Sequence, residues 1–157
     1  MRKTFNINTE IAIARNPYLK KSNVYTIVIS GHEEALRVLQ TTKLTCTNQG
    51  IPELAGLVNP VVMQKDCCKR AFIRGAFLSA GSISDPEKFY HLEIVCQTRD
   101  KAEQLQGVIR SFHIDAKIVA RKKTYVVYVK EGAQIVELLA LMEANVALMN
   151  LENVRIL

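Results

Sequence analysis

The sequence lacks any long hydrophobic run, and it does not begin like a secreted protein. No stretch of its 157 residues approaches the roughly 20 apolar residues that a membrane-spanning helix needs. The first residues, Met1-Arg2-Lys3-Thr4, are not those of a signal peptide. Because 48% of the residues are hydrophobic, the chain can bury a sizeable core without disulfides or a metal. We therefore expect a soluble cytoplasmic protein.

The common motifs of catalytic sites are also missing. His32-Glu33 is not followed by a second histidine at the spacing of a zinc protease, because position 36 is a leucine. His91 and Glu93 form an H-x-E pattern, but no P-C-x-x-C follows. There is no glycine-rich phosphate loop and no G-x-S-x-G sequence. We predict no catalytic residue and interpret the histidines as surface residues.

The sequence has few cysteines, and their spacing does not suit a metal site. They are Cys46, Cys67, Cys68 and Cys96. No pair has C-x-x-C spacing, and two neighbouring cysteines rarely chelate one metal together. We expect reduced and mostly buried thiols, no metal and no cofactor.

The chain is basic, with a net charge of +6 at pH 7. This charge permits a polyanionic partner such as nucleic acid without identifying one. The positions of the cations are therefore more informative than their number.

The sequence repeats itself. Residues 5–12 and 112–119 share one Phe and two Ile at an offset of 107, and both segments alternate apolar with more polar residues. That alternation is typical of a half-buried strand. A second strand is predicted at 24–29 and again at 124–129, at an offset of 100, and a helix follows each pair. We interpret the pattern as two copies of strand–turn–strand–helix.

Both connections between the paired strands are basic, which makes them the best candidates for contact with double-stranded DNA. Lysines and arginines on two related hairpins could follow the phosphates of a duplex. The alternative is two solvated turns that only keep the protein soluble. Together with one residue on a strand face, the candidates are Arg15, Lys20, Lys21, Lys117, Arg121, Lys122 and Lys123.

Residues 64–80 have the pattern of a helix, and we predict that Gly81 ends it as a left-handed C-cap. Ala71, Gly75 and Ser79 lie four residues apart and place a stripe of small side chains on one helix face. Such a stripe lets a second helix approach closely. Packing of the helix on its own sheet is the alternative.

Residues 73–81 of this helix resemble the motif of the LAGLIDADG homing endonucleases, with Gly75 and Gly81 at its two glycine positions. Residues 65–83, which include Cys-Cys-Lys-Arg, are similar to the signature of the WhiA-type regulators, a non-catalytic branch of that superfamily. Residues 90–94, 145–148 and 152–156 fit the same family. The resemblance implies an α+β fold of LAGLIDADG homing-endonuclease-like repeats. Each repeat would run helix–hairpin–helix–hairpin–helix, with antiparallel, saddle-shaped sheets.

The repeat and the resemblance together predict the domain organisation. Residues 1–43 are expected to form the C-terminal half of a first LAGLIDADG-like repeat, followed by a linker at 44–63. Residues 64–142 are expected to form a second, complete repeat. Residues 143–157 would be a helical tail that leads towards a helix-turn-helix domain missing from this chain.

The resemblance also implies a function without catalysis. Active homing endonucleases carry a metal-binding acid before the second glycine of the motif, where this sequence has Ala80, and the motif's other acidic position is Leu78. Neither side chain can ligate a hard cation. We therefore expect the DNA-binding part of a regulator of transcription that controls sporulation or cell division, associated with the nucleoid. The alternative is a protein-interaction scaffold, with DNA read by the missing helix-turn-helix domain.

Pairing of motif helices within the family implies a further partner. The face with Ala71, Gly75 and Ser79 would meet the motif helix of a second copy, so we expect a homodimer. Proteins of the transcription apparatus are possible partners, and a membrane is not expected.

Overall fold

The computed structural model describes residues 2–15, 23–44, 57–85 and 88–156. The chain divides into two compact units, Met1–Asn59 (unit 1) and Pro60–Leu157 (unit 2). Within the described ranges, no helix combines the length and the apolar character needed to cross a membrane.

Unit 1 contains a short helix, a hairpin and a second helix, with the elements α1 (Arg2–Phe5), β1 (Glu10–Arg15), β2 (Asn23–Val28) and α2 (His32–Thr41). The strands are antiparallel, with Ile11 opposite Ile27 and Ile13 opposite Tyr25. Because opposed residues of an antiparallel pair share a face, these four side chains lie together. Each is between 63% and 66% exposed, so one face of the hairpin is an apolar patch.

Unit 2 is a four-stranded antiparallel sheet with helices on one face. Its strands pair in the order β3-β4-β6-β5. The α+β class with antiparallel sheets, predicted from the sequence, is confirmed. The elements are a 3-10 helix (Pro60–Met63), α3 (Asp66–Ala80), β3 (Gly81–Ile83), β4 (Leu92–Cys96), α4 (Arg99–Arg110), β5 (Lys117–Arg121), β6 (Thr124–Val129), α5 (Gly132–Leu141) and α6 (Asn145–Ile156).

The alternation of β4 decides which sheet face is buried. Its first, third and fifth residues are buried, while Glu93 and Val95 between them are half-buried. The buried strand residues cluster with apolar side chains of α3, α4 and α5, so the helices cover this face. A register shift of one residue would expose the whole apolar set, which fixes the pairing. The cluster includes Ile73, Leu92, Ile94, Cys96, Leu105, Ile109, Val127, Val129, Ile135, Leu138 and Leu139.

The prediction that residues 5–12 and 112–119 are strands throughout was wrong in their first halves. Phe5 is the last residue of α1, Phe112 lies in a turn after α4, and the strands begin only at Glu10 and Lys117. Phe112 lies beside α3, with the Nζ atom of Lys69 5.8 Å from its ring centroid. Its apolar character therefore reflects packing near a helix, and this mimicked the start of a strand alternation.

Left-handed backbone recurs at corresponding positions of the two units. Asn6 and His113 have φ values of 54° and 64°, and Lys43 and Glu143 have φ values of 58° and 59°. The residues after the first pair, Ile7 and Ile114, are each 1% exposed. The spacings are the offsets of 107 and 100 found in the sequence. The assignment of unit 1 as half a repeat and unit 2 as a complete one stays a prediction.

Gly81 is not a left-handed C-cap, which corrects a second prediction. Its φ of −89° and ψ of 153° are those of extended backbone, and it is already the first residue of β3. A Cβ at this position would collide with the Phe77 ring and would lie 2.6 Å from the Phe77 carbonyl oxygen. Because α3 runs directly into β3 without a turn between them, the backbone at position 81 lies close to Phe77. Only glycine, which has no Cβ, fits there.

Candidate nucleic-acid interface

The sheet face of unit 2 that points away from the helices, called the outer face here, carries every second residue of β4, β6 and β5. One row across these strands joins Glu93, Tyr128 and Lys117, and the next row is aliphatic. A third row places Arg121 at the end of β5. The outer face therefore has polar ends and an apolar centre. Its residues are Glu93, Val95, Thr124, Val126, Tyr128, Lys117, Val119 and Arg121.

The turn between β5 and β6 is the most basic point of this face. Arg121 pairs with Thr124, so the turn consists of Lys122 and Lys123 alone. Lys122 has a φ of 53°, in the left-handed region. Both lysines are exposed, and neither has an ion-pair partner among the residues that the structure describes. Two adjacent cations at an exposed tip suit contact with phosphates.

Arg121 does not project freely from this hairpin, because Glu93 holds its guanidinium. The Nη1 and Nη2 groups donate to Oε1 and Oε2 of Glu93, each at 3.3 Å. The Oε2 atom also lies 3.1 Å from Nε2 of His91. The hydrogen bond with His91, and then the interaction with Arg121, lower the pKa of the Glu93 carboxyl against the opposing effect of burial. The carboxyl therefore stays ionised and offsets the charge of Arg121.

Aromatic rings extend this cluster along the sheet. The His91 ring stacks on Tyr128 with 5.8 Å between centroids and 27° between planes. The Nζ atom of Lys130 lies 5.2 Å from the Tyr128 centroid. The interpretation of His91 as a surface residue was wrong, since its side chain is only 22% exposed. The spacing of His91 and Glu93, two residues apart at a strand, is the signal that would have placed them on one face.

Lys117 is exposed on the outer face, but it forms an ion pair with a carboxylate. Its Nζ atom lies 3.7 Å from Oδ2 of Asp115. Both residues line a cavity of about 260 Å³ whose two lysines face two carboxylates, so its charges balance. Lys117 therefore offers less unpaired charge than the turn does. The cavity is lined by Asp115, Lys117, Tyr128, Lys130, Glu131 and Gln134.

Of the predicted DNA-contacting residues in unit 1, the described ranges include only Arg15. Lys20 and Lys21 lie outside the described residues. Arg15 is the last residue of β1, opposite Asn23 in the register. Of the predicted DNA-contacting residues, the structure brings four together on one strand and its turn, namely Lys117, Arg121, Lys122 and Lys123.

The motif helix α3 packs through one face and leaves its small residues exposed. Ile73 is fully buried, while Ala71, Gly75 and Ser79 are exposed. A Cβ added at Gly75 would meet no atom of the described residues within 4 Å. The helix therefore packs on its own unit through Ile73, and the face with the stripe stays open within the described chain. Packing of that face against a second helix remains a prediction.

Leu78 and Ala80 are both exposed at the C-terminal end of the same helix. Ala80 is the last residue of α3, and the side chain of Leu78 is 79% exposed. The nearby carboxylate of Asp85 lies 3.6 Å from Nζ of Lys88. Among the described residues, no group of three or more His, Cys, Asp or Glu side chains is placed to hold a metal ion.

The thiols are less buried than the sequence predicted. Cys67 is exposed and Cys68 half-buried, with 4.0 Å between their sulfur atoms, whereas Cys96 is buried in the core. Burial raises the pKa of the Cys96 thiol. Cys46 lies outside the described residues. The neighbouring pair opens the first turn of α3, where only one of two successive side chains can face inward.

Comparison with known proteins gives this geometry a family context. Residues 69–157 match the family model described as the WhiA LAGLIDADG-like domain. The chain is 55% identical over 157 residues to the "Probable cell division protein WhiA" of Lachnoclostridium phytofermentans, covering all of the chain and 50% of that protein. The protein of the same name from Alkaliphilus oremlandii is 45% identical over 152 residues, with coverage of 97% and 48%. The chain thus spans about half the length of these curated relatives.

Solved structures show the same fold at lower identity. A full-length WhiA protein from Thermatoga maritima superposes with a TM-score of 0.66 at 20% identity, covering 98% of this chain and 45% of its own. The N-terminal LAGLIDADG domain of a WhiA protein gives a TM-score of 0.61 at 21% identity, with coverage of 90% and 61%.

Proposed function

Because the chain belongs to the WhiA LAGLIDADG-like domain family, we propose that it is the non-catalytic, DNA-binding part of a transcription regulator that acts in cell division or sporulation. It would act in the cytoplasm, on the nucleoid. Its contacts would position the regulator on double-stranded DNA, and would lie mainly with the phosphate backbone.

The observation that carries the proposal is the basic tip of the β5–β6 hairpin. Lys122 and Lys123 are adjacent and exposed, and among the described residues no carboxylate is paired with either of them. Lys117 and Arg121 follow on the same strand. A two-stranded ribbon fits the major groove of B-DNA, and a basic tip can then reach the flanking phosphates. The aliphatic row behind the tip offers no donor or acceptor for reading bases, which favours backbone contact.

Salt dependence tests the proposal directly. Fluorescence anisotropy with a short labelled DNA duplex of mixed sequence should give an affinity that falls steeply with salt. Each phosphate contact contributes a slope of about −0.9 in a plot of log K against log salt. An affinity below detection at low salt, from a protein that melts cooperatively, would refute the proposal.

The absence of nuclease activity is a separate part of the proposal. Ala80 stands where a metal-binding acid would be needed, and a methyl group cannot hold Mg²⁺. Supercoiled plasmid incubated with the protein and Mg²⁺ or Mn²⁺ should stay intact. Cleavage that disappears on Asp85→Asn substitution would contradict this part.

A protein-interaction scaffold is the second candidate, and a different surface favours it. The apolar patch of Ile11, Ile13, Tyr25 and Ile27 on the unit 1 hairpin is exposed, and exposed apolar patches are common at protein interfaces. This reading predicts weak DNA binding without a salt slope, together with tight binding of a protein partner. The salt titration therefore separates the two candidates.

A further inference from the structure

The carboxylate of Glu93 occupies a position where a DNA-binding surface would ordinarily avoid an acid. It lies on the outer face, and its two oxygens contact both Nη groups of Arg121 at 3.3 Å and the Nε2 atom of His91 at 3.1 Å. Its side chain is 18% exposed, whereas that of Arg121 is 58% exposed. Glu93 is therefore the more buried member of the pair, and its carboxylate is engaged by both Arg121 and His91.

The path of Arg121 shows how far the side chain is drawn from the hairpin tip. Arg121 lies on β5 opposite Thr124, while Glu93 lies on β4 opposite Tyr128, and β6 runs between them. The line from one to the other crosses β6 midway, at the level of Val126. The guanidinium thus points across the sheet, towards the centre of the outer face and away from the two lysines of the turn.

The contact that holds Arg121 is the same kind of contact that DNA would make with it. Arginine binds carboxylate and phosphate through two parallel N–H···O bonds, and the planar fork serves either anion. Glu93 occupies the fork formed by the two Nη groups, so a phosphate that uses this fork must displace the carboxylate. Lys122 and Lys123 face no such competition among the described residues.

We propose that Glu93 competes with nucleic-acid phosphate for Arg121, and so limits the affinity of the outer face for DNA. The inference rests on the proposed function and adds a residue that restrains it. In the wild-type protein the lysines of the turn contact DNA while Arg121 stays with Glu93. Removal of the Glu93 charge releases Arg121 as an additional phosphate contact.

The test is a Glu93→Gln variant, in which the side chain keeps its size and loses its charge. In the anisotropy assay, one extra phosphate contact steepens the salt slope by about 0.9 and tightens binding about eightfold near roughly 0.1 M salt, for a contact that contributes nothing near 1 M. Glu103→Gln is the matched control. Glu103 also pairs with an arginine, Arg99 at 2.8 Å, but on α4 at the other side of the sheet.

The Arg121→Gln variant provides a second test in case Glu93→Gln does not fold. The Arg121 side chain is exposed, so we expect its replacement to leave the fold intact. Under the proposal this change costs little affinity in the wild-type background, but it abolishes the gain in the Glu93→Gln background. If the wild-type protein shows a salt slope, two results overturn the inference and leave the proposed function standing. In the first, Glu93→Gln weakens DNA binding, and in the second, its affinity and salt slope equal those of Glu103→Gln. If neither the wild-type protein nor Glu93→Gln shows salt-dependent DNA binding, both the inference and the proposed function are overturned. Binding by Glu93→Gln alone supports the inference.

Discussion

Neutralising the two lysines at the tip of the β5–β6 hairpin should weaken DNA binding without unfolding unit 2. The variant Lys122→Asn/Lys123→Gln removes both charges. Neither side chain contributes to the buried cluster, so no core contact is lost. Asparagine is also more common than lysine in left-handed backbone, and the φ of 53° at position 122 requires that conformation.

The expected size of the effect follows from counting phosphates. If each lysine makes one contact, the salt slope falls in magnitude by about 1.8. Affinity near roughly 0.1 M salt would then fall about 60-fold, again taking contacts that contribute nothing near 1 M. As salt rises from roughly 50 to 200 mM, the ratio of the wild-type affinity to the variant affinity should fall about twelvefold.

A matched control separates local contacts from total charge. Arg99→Gln/Lys101→Gln removes the same charge from α4, whose buried residues pack on the opposite face of the sheet. Anisotropy of a labelled duplex should show the full loss only for the hairpin variant, with thermal melting by circular dichroism as the folding check. Equal losses for both variants would mean that net charge alone attracts DNA. An unchanged affinity for the hairpin variant would make the turn merely solvated.

Three further outcomes are expected. Gly75→Leu should convert a dimer into a monomer in sedimentation equilibrium, whereas Gly107→Leu should not, because only Gly75 belongs to the stripe of small residues on α3. Both glycines are exposed in helices, and within the described part of the chain nothing lies within 4 Å of a Cβ added at either of them. A monomeric wild-type protein would contradict the pairing hypothesis. Ile73→Ala should destabilise unit 2 by about 2–5 kcal/mol in urea unfolding, since the side chain is fully buried. A loss of about 0.5 kcal/mol or less, the size typical of a surface substitution, would contradict this prediction. The pKa of the Glu93 carboxyl is lowered in the folded protein, so the stability that this carboxylate contributes is present above the unfolded carboxyl pKa and is lost as pH falls through the folded pKa. The difference in unfolding free energy between wild type and Glu93→Gln should therefore shrink on acidification. A difference that grows would contradict the pairing of Glu93 with Arg121 and His91.

Local patterns in the sequence were sufficient for most helices and for the second strand of each hairpin. The α4 and α5 helices have apolar residues at helical spacing, because this periodicity reflects which side chains face the core. The β6 strand spans the predicted residues 124–129, although its burial does not alternate, since Val126 and Val127 are both buried. The basic turn at Lys122 and Lys123 was also predictable, since a two-residue connection between strands must be exposed. The family resemblance carried the fold class, which composition alone could not.

The errors arose where a residue's partner is distant in the chain. Phe112 was assigned to a strand because its contact with the neighbourhood of α3 is not visible in the local alternation. Gly81 was assigned a left-handed conformation because the overlap with Phe77 depends on the path from α3 into β3. His91 was interpreted as a surface residue because its stacking on Tyr128 and its contact with Glu93 form only in the folded sheet.

The sequence by itself determined the periodic elements, the basic turn, the small-residue stripe of α3 and the alanine at position 80, because each is a property of neighbouring residues. Tertiary structure alone decided which cations remain available. Arg121 and Glu93 are 28 residues apart, and they meet because β6 pairs with both β4 and β5 in a register set by burial of the opposite face. Hydrophobic burial therefore fixes the register, and the register places an acid within reach of one arginine while it leaves two lysines exposed at the turn.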